Sequence, residues 1–420
     1  MAVKLTDGVT LHVLPTKKFK TVRIKIKLKA PLREDNSTSR TLLASLLETN
    51  SQKYPTQTAM RSELSRLYGA SFYTDVTKKG TAHILTLDLN VVNDKFLSES
   101  DSVLNQSVAF LEEVLFRPNV QEGAFHEETF NRERENLRDE YSSYYDDKQL
   151  YAALALQELY FDDPAQQIPS RGREEDLEKI TARSLYMDYQ KMLQEDIVDI
   201  LVVGDVTEDE LAKAFRIFSF SPRKEAGSQV FYAGKQGMDK KEKTEIHPVA
   251  QAKLNLAYDT GVYYHAENYY AGQVFNGLFG GYPHSKLFTN VREKESLAYY
   301  ASSFMDTFRG TMTVETGIEG MDAPKVERII AQQLEEMQNG LFEEEAFLQT
   351  KEMLKNGLYQ SEDSPGGYLE RVYANIIAKG SIIPLDEWIE KIDRVTKADV
   401  QDVAQNISLK ARFLLKGESD

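Results

Sequence analysis

Few side chains in this sequence are able to do chemistry at neutral pH. Its six histidines stand at positions 12, 83, 126, 247, 265 and 284, and no two are four residues apart. A metallopeptidase helix needs that spacing to turn two imidazoles toward one metal ion, with a glutamate between them to take a proton from the metal-bound water. No such pair exists here. Cysteine is absent, which removes catalytic thiols, structural disulfides and thiolate metal sites, so any metal would rest on His, Asp and Glu. His284 beside Ser285 invites a serine-hydrolase reading. Adjacent side chains rarely aim at each other, however, no G-x-S-x-G elbow is present, and no acid is placed to orient the ring. His83 falls among leucines on the apolar face of a strand, the position of a packed, hydrogen-bonded histidine. Taken singly, Glu48, Glu133 and Glu140 read as charges on solvated helices. What remains is Gly277-Leu-Phe-Gly-Gly-Tyr-Pro-His-Ser-Lys-Leu-Phe288 leading into Thr289-Asn-Val-Arg-Glu-Lys-Glu-Ser-Leu-Ala-Tyr299. This is the most specific stretch in the chain, with a glycine pair, an arginine and a tyrosine close together.

The elements that must position these residues follow from hydrophobic period. Val22, Ile24, Ile26 and Leu28 alternate with Arg23, Lys25, Lys27 and Lys29, the pattern of a half-buried strand. Val9 to Leu14 reads as its hairpin partner across a lysine-rich turn. Leu42, Leu43, Leu46 and Leu47 share one face of a helix over Thr41 to Thr49, and a second helix runs from Thr58 to Tyr68 and stops at Gly69. Ala70 to Val76 and Ala82 to Val91 are strands joined at Lys79-Gly80. Long helical stretches cover Ser98 to Phe116 and Glu127 to Leu159, and the apolar run Ile200 to Val203 ends at Gly204.

The second half repeats this grammar. Phe125-His-Glu-Glu-Thr-Phe130 returns as Phe342-Glu-Glu-Glu-Ala-Phe347, Ile180-Thr-Ala-Arg-Ser-Leu185 as Val395-Thr-Lys-Ala-Asp-Val400, and Ile200-Leu-Val-Val-Gly204 as Phe413-Leu-Leu-Lys-Gly417. The three offsets, 217, 215 and 213 residues, agree to within four residues, so the chain reads as a tandem duplication of a unit of about 210 residues. Residues 221–249, poor in apolar periodicity, read as a linker with one short strand at Val230 to Ala233. The expected organisation is a domain over 1–220, that linker, and a second domain over 250–420. Each domain is α+β, a mostly antiparallel sheet with helices packed on one side.

Bulk composition narrows the function. At 420 residues with 41% hydrophobic content, the chain exceeds what a single core organises. Lys plus Arg is 51 against 66 for Asp plus Glu, a formal net charge of -15, the wrong sign for a surface that neutralises phosphates, so no nucleic-acid partner is expected. The start, MAVKLTDGVTLHVLP, does not resemble a secretory signal, and no apolar run approaches the ~20 residues of a membrane span. The expectation is a cytoplasmic protein with no membrane partner.

Against this background, Leu42-Leu-Ala-Ser-Leu-Leu-Glu-Thr-Asn50 resembles the inverted zinc motif, His-x-x-Glu-His, of the M16 (pitrilysin and mitochondrial processing peptidase-like) metallopeptidase family. Ser45 and Thr49 stand at the two His positions and Glu48 at that of the general base. Arg132-Glu-Arg-Glu-Asn-Leu-Arg-Asp-Glu140 is similar to the segment that supplies the family's third ligand, with Glu140 at the ligand position and Glu133 upstream. The stretch from Gly277 to Tyr299 resembles the family's glycine-containing loop and its Arg and Tyr seven residues apart, which reach from the second domain toward substrate. The resemblance implies a short bacterial two-domain member with the LuxS/MPP-like metallohydrolase fold and a degenerate zinc site. Gly280, Gly281 and Ser285 would lie against a peptide. Arg292 would offer charged donors to a substrate carbonyl or carboxylate, and Tyr299 a hydroxyl to an oxyanion.

Hydroxyls are poor zinc ligands beside imidazole, so no metal is expected in this chain. Ser45, Thr49 and Glu140 are then vestigial metal positions, and Glu48 a vestigial base. The resemblance implies a non-catalytic subunit that pairs with a zinc-bearing homologue around a peptide, the zinc residing in the partner. The alternative is self-association, a pseudoenzyme homodimer that binds peptides or serves structurally. An autonomous enzyme with an unrelated site ranks last.

Overall fold

The alternating segment around Ile24 is a strand at the heart of a sheet in the computed structural model, which describes residues 2–98, 102–224, 230–234 and 239–418. The strands are β1 (Ala2–Thr6), β2 (Val9–Pro15), β3 (Thr21–Pro31), β4 (Ser71–Lys79) and β5 (Ala82–Val92). After the two-residue pair β6 (Val120–Gln121) and β7 (Ala124–Phe125) comes β8 (Ile197–Gly204). Their order across the sheet is β1-β2-β8-β3-β5-β4. β2 is therefore not the hairpin partner of β3. β8 lies between them, parallel to β2 and antiparallel to β3. The physical reason is in β8 itself: it is buried on both faces from Val198 to Gly204, and a strand apolar on both sides is stable only in a sheet interior.

A second sheet contains β9 (Lys241–Ile246), β10 (Ala252–Asp259), β11 (Ala298–Asp306), β12 (Thr311–Ile318) and β13 (Ser408–Lys416), in the order β11-β12-β10-β13-β9. This is the order β4-β5-β3-β8-β2 over again, down to the parallel pairing of β9 with β13. The duplication read from three short matches is thus a duplication of topology. It also corrects the linker. β9 is the counterpart of β2, and it escaped notice because Lys-Glu-Lys-Thr-Glu-Ile is an exposed, charged edge strand with no apolar alternation. Val230 to Ala233 forms no strand, although Val230 and Tyr232 are buried. The remainder of the expected linker at 225–229 and 235–238, and the expected helix start at 99–101, lie outside the described residues.

Two helices replace the single one expected from Glu127 to Leu159. They are Glu127–Asp146 and Lys148–Tyr160, divided at Asp147, whose carboxylate accepts the N–H groups of Gln149 and Leu150 as a helix cap. The chain forms two compact units. One contains Met1–Ser142, Ile168–Gln229 and Glu362–Tyr373; the other contains Ser143–Gln167, Val230–Ser361 and Ala374–Asp420. Each sequence half thus lends a helix to the unit built mainly by the other. Ala152, Leu156 and Tyr160 of the helix Lys148–Tyr160 pack with Ala257, Ala411, Phe413 and Leu415 of the second sheet.

The reciprocal loan changes the reading of β3. The first half of the helix Pro365–Lys379 belongs to the first unit, and Lys25 and Lys27 are 5% and 2% exposed rather than solvated. Glu370 Oε1 lies 2.6 Å from Lys25 Nζ and 2.9 Å from Lys27 Nζ, Asp88 is 3.2 Å from Lys25, and the Lys27 ammonium lies 4.7 Å from the centroid of the fully buried Tyr373 ring. Period two placed these lysines on one face correctly, but only the distant helix determines that the face is covered. The fold is α+β, with antiparallel pairing dominating both sheets. Among the described residues, no helix is long and apolar enough to cross a membrane.

Candidate functional site

The helix Ser37–Thr49 turns Leu42, Leu43, Leu46 and Leu47 into the core. Its opposite face, with Ser45, Glu48 and Thr49, borders a cavity of about 390 Å³. Both hydroxyls bond backward along the helix: Ser45 Oγ donates to Thr41 O at 3.3 Å and Thr49 Oγ1 to Ser45 O at 2.9 Å. This is the usual fate of a hydroxyl in a helix with no better partner. Glu48 Oε2 accepts the Thr74 N–H of β4 at 2.7 Å. The Thr74 hydroxyl lies 3.0 Å from the same oxygen and 2.8 Å from Ala44 O, and has one proton for the two.

At the end of this helix, Asn50 Nδ2 donates to Thr129 Oγ1 at 2.9 Å, docking the start of the helix Glu127–Asp146 that carries Glu133 and Glu140. Neither carboxylate is free. Glu133 is largely buried and accepts from Arg132 Nε at 3.0 Å and Asn136 Nδ2 at 3.1 Å. Glu140 is gripped on both oxygens by Arg171, through Nε at 2.5 Å and Nη2 at 2.9 Å, and Arg171 Nη1 also reaches Asp75 at 3.4 Å. Arg171 itself lines the cavity. A guanidinium thus supplies the positive charge that a carboxylate ligand would otherwise share with a metal ion.

Arg171 was missed in the sequence, where its only signal is the glycine beside it. Gly172 has φ +89, and a Cβ there would meet Thr38 at 2.2 to 2.7 Å, so only glycine lets this loop press against the first helix. A buried relay fixes the loop from the other side. Arg40 Nε donates to His83 Nδ1 at 3.0 Å, which leaves His83 Nε2–H to donate to Ser170 O at 2.8 Å. Burial, then the Arg40 charge, drive the His83 imidazole down to about 3, so it stays neutral in this role. His83 is a core residue, as its strand position implied.

These residues do not fit zinc. Two of the three positions carry hydroxyls already bonded to backbone, and the third carboxylate is saturated by a guanidinium. Among the described residues, no group of three or more His, Asp or Glu side chains is placed to hold a metal ion.

In the other unit, Gly277–Gly281 and Phe288–Lys294 are π-helical turns that follow the helix Tyr269–Asn276. Gly280 is buried, and a Cβ on it would lie 2.7 Å from the Ser303 backbone nitrogen: it is small so that its turn packs on β11. Ser285 is fully buried and its Oγ accepts the Phe288 N–H at 3.4 Å. Of the three residues expected to lie against a peptide, Gly280 and Ser285 are thus buried and Gly281 is exposed. Arg292 is exposed, its guanidinium 4.7 Å from the Phe288 ring centroid, and no carboxylate pairs with it among the described residues. Tyr299 lies on β11, 63% exposed, its hydroxyl donating to Glu319 Oε1 at a long 3.5 Å. The chain turns between them at Ser296, φ 54, so the spacing of seven does not run along one helix. His284 Nε2 donates to Thr350 Oγ1 at 2.7 Å and not toward Ser285, since the Thr350 hydroxyl gives its own proton to Ala346 O.

Comparison with known proteins agrees with this picture. A family model described as "Peptidase M16 inactive domain" matches residues 179–354. The "Probable inactive metalloprotease YmfF" of Bacillus subtilis is 37% identical over 98% of this chain and 96% of its own length. Other matching relatives are described as uncharacterized zinc proteases. The crystal structure of a conserved protein from Enterococcus faecalis is 48% identical, with a TM-score of 0.95 over 100% of this chain and 99% of that one. A peptidase M16 inactive domain from Pseudomonas fluorescens shares the fold at 15% identity, with a TM-score of 0.80 over 99% of this chain and 98% of its own.

Proposed function

The chain belongs to the M16 metallopeptidase family, and from that premise we propose that it is the non-catalytic subunit of a cytoplasmic peptidase, pairing with a zinc-bearing homologue and lending Arg292 and Tyr299 to the shared site. The observation that carries the reading is the double hydrogen bond from Arg171 to Glu140, together with the back-bonded Ser45 and Thr49. The vestigial centre is satisfied by its own side chains, so Glu48 has no metal-bound water to deprotonate. A homologue named as an inactive metalloprotease points the same way.

What supports a retained role for the second unit is the availability of its two side chains. In a chain rich in carboxylates, Arg292 is exposed and has no ion pair among the described residues, and Tyr299 presents its hydroxyl from an exposed position on β11. In the assembled site, Arg292 would orient a peptide carbonyl or carboxylate through its N–H fork, and Tyr299 would donate to the oxygen that gains negative charge as the scissile carbonyl is attacked.

The test is complementation: this chain is mixed with a zinc-motif homologue and peptide cleavage is followed. Tyr299→Phe should lower kcat of the mixture by ~10²-fold, the usual cost of one oxyanion donor, and Arg292→Ala should act mainly on kcat/KM. Unchanged activity in both variants overturns the proposal. A chain that self-associates but never binds the homologue on size exclusion would favour the peptide-binding homodimer instead.

A further inference from the structure

We infer that Phe288 is a positioning residue for Arg292: its ring holds the guanidinium in place without using the N–H donors that a substrate would take. The inference rests on the shared-site reading of Arg292 and adds a residue to it.

Phe288 and Arg292 stand four residues apart on the π-helical turn Phe288–Lys294, a spacing that brings two side chains to one side of a helical turn. Their neighbours do a different job. Leu287 and Val291 are fully buried and fix the turn to the core. The start of the turn is tied down by the buried Ser285, whose Oγ accepts the Phe288 N–H at 3.4 Å. On this anchored base the Phe288 ring is half-buried and Arg292 exposed, and the guanidinium carbon lies 4.7 Å from the ring centroid. That is inside the ~6 Å over which an aromatic ring attracts a cation.

Other cations of this stretch are held by oxygen. Lys286 pairs with Glu336 at 2.5 Å, and Lys294 donates to Asn290 Oδ1 at 3.1 Å. Glu295, three residues beyond Arg292, is taken by Lys325 at 2.7 Å. The difference matters chemically. An oxygen acceptor occupies the N–H groups it receives, whereas a ring attracts the charge and leaves the planar fork of donors to a ligand. An arginine with no contact at all would be equally available, but it would lose its rotamer freedom on engaging a peptide. The ring contact removes part of that freedom beforehand, so less is lost when the fork closes on a carbonyl or carboxylate.

The purified chain tests the contact. With isotope-labelled arginine, the Arg292 δ-methylene resonance, assigned by its loss in Arg292→Ala, should shift in Phe288→Leu, because the ring current acting on it is gone. In Phe288→Tyr it should stay near its wild-type position. An unmoved resonance in Phe288→Leu overturns the proposal with no partner subunit involved. A double-mutant cycle in the mixture with the zinc-motif homologue tests the role. Phe288→Leu should lower kcat/KM about 2- to 5-fold, the worth of one exposed cation–π contact. Phe288→Tyr should restore it, and Phe288→Leu should cost nothing more once Arg292 is replaced by alanine. An equal loss in both backgrounds would mean that the ring supports the fold and not Arg292. That result, or no loss in either background, overturns the proposal and leaves the shared-site reading standing as long as Arg292→Ala is itself damaging. If Arg292→Ala is without effect, the shared-site reading fails and the positioning role falls with it.

Discussion

Removing the Glu370 carboxylate should destabilise the first unit more than a surface charge deletion would. In Glu370→Ala, the Lys25 and Lys27 ammoniums, 5% and 2% exposed, lose the acceptor they share at 2.6 and 2.9 Å. Breaking a buried ion pair from one side costs about 3–5 kcal/mol, because the surviving charge stays desolvated. Three observations place the cost near the low end, about 3 kcal/mol. The Glu370 side chain is 41% exposed, Lys25 retains Asp88 at 3.2 Å, and Lys27 retains Thr86 Oγ1 at 3.3 Å and the Tyr373 ring. The loss therefore falls chiefly on Lys27, whose ammonium burial already disfavours.

The assay is urea unfolding followed by far-UV circular dichroism, since the one tryptophan, Trp388, belongs to the other unit and would not report this change. A control removes all three charges: Lys25→Met with Lys27→Met and Glu370→Leu should lie within about 1 kcal/mol of wild type, or above it. A loss under about 1 kcal/mol in Glu370→Ala would refute the argument, showing that water or rotamer changes satisfy the lysines. The pH dependence supplies a second arm. Burial raises the Glu370 carboxyl, but Lys27 and Lys25 outweigh it and hold it at about 2 against an ordinary 4.5. Its contribution is therefore complete above pH 4.5 and is lost as the pH falls toward 2, a decline that Glu370→Ala should lack.

Two further predictions concern the vestigial centre. Ser45→His with Thr49→His should remain a poor zinc site while Arg171 holds Glu140, and adding Arg171→Ala should tighten zinc at least ~10-fold in a chelator competition; equal affinity in both would mean that Arg171 is no obstacle. His83 should show no imidazole titration by NMR above pH 4. The unfolded chain takes up this proton below 6.5, while the folded one resists it to about 3, so stability falls across that window on acidification. His83→Gln should flatten that slope, and an unchanged slope would exclude His83 as its source.

The helix Ser37–Thr49 was legible because four leucines fix which side faces inward, and the rest of the helix follows from 3.6-residue geometry. The duplication was legible because its matches fall at the ends of elements, where sequence constraints are local. What escaped notice depends on partners far along the chain. β8 enters between β2 and β3 from beyond residue 196, the burial of Lys25 and Lys27 is determined by residues near 370, and Arg171 becomes meaningful only once a loop brings it onto Glu140. Gly280 and Ser285 show another limit: glycine and serine in a loop spell either an opening for a ligand or a tight internal join, and spacing cannot choose between them.

The loan of helices between the sequence halves has a consequence for how such a chain arose and how it can be cut. Expressed alone, residues 1–220 would expose Ala152, Leu156 and Tyr160 with no sheet to receive them, while Lys25 and Lys27 would lack Glu370; the remaining residues would suffer the mirror-image defect. Neither fragment is a self-sufficient folding module, though the two expressed together should find each other. A half-length ancestral gene with this arrangement would have produced an intertwined, segment-swapped pair of identical subunits. Fusion of two copies would then have made the exchange intramolecular, leaving each copy free to diverge at its own surface.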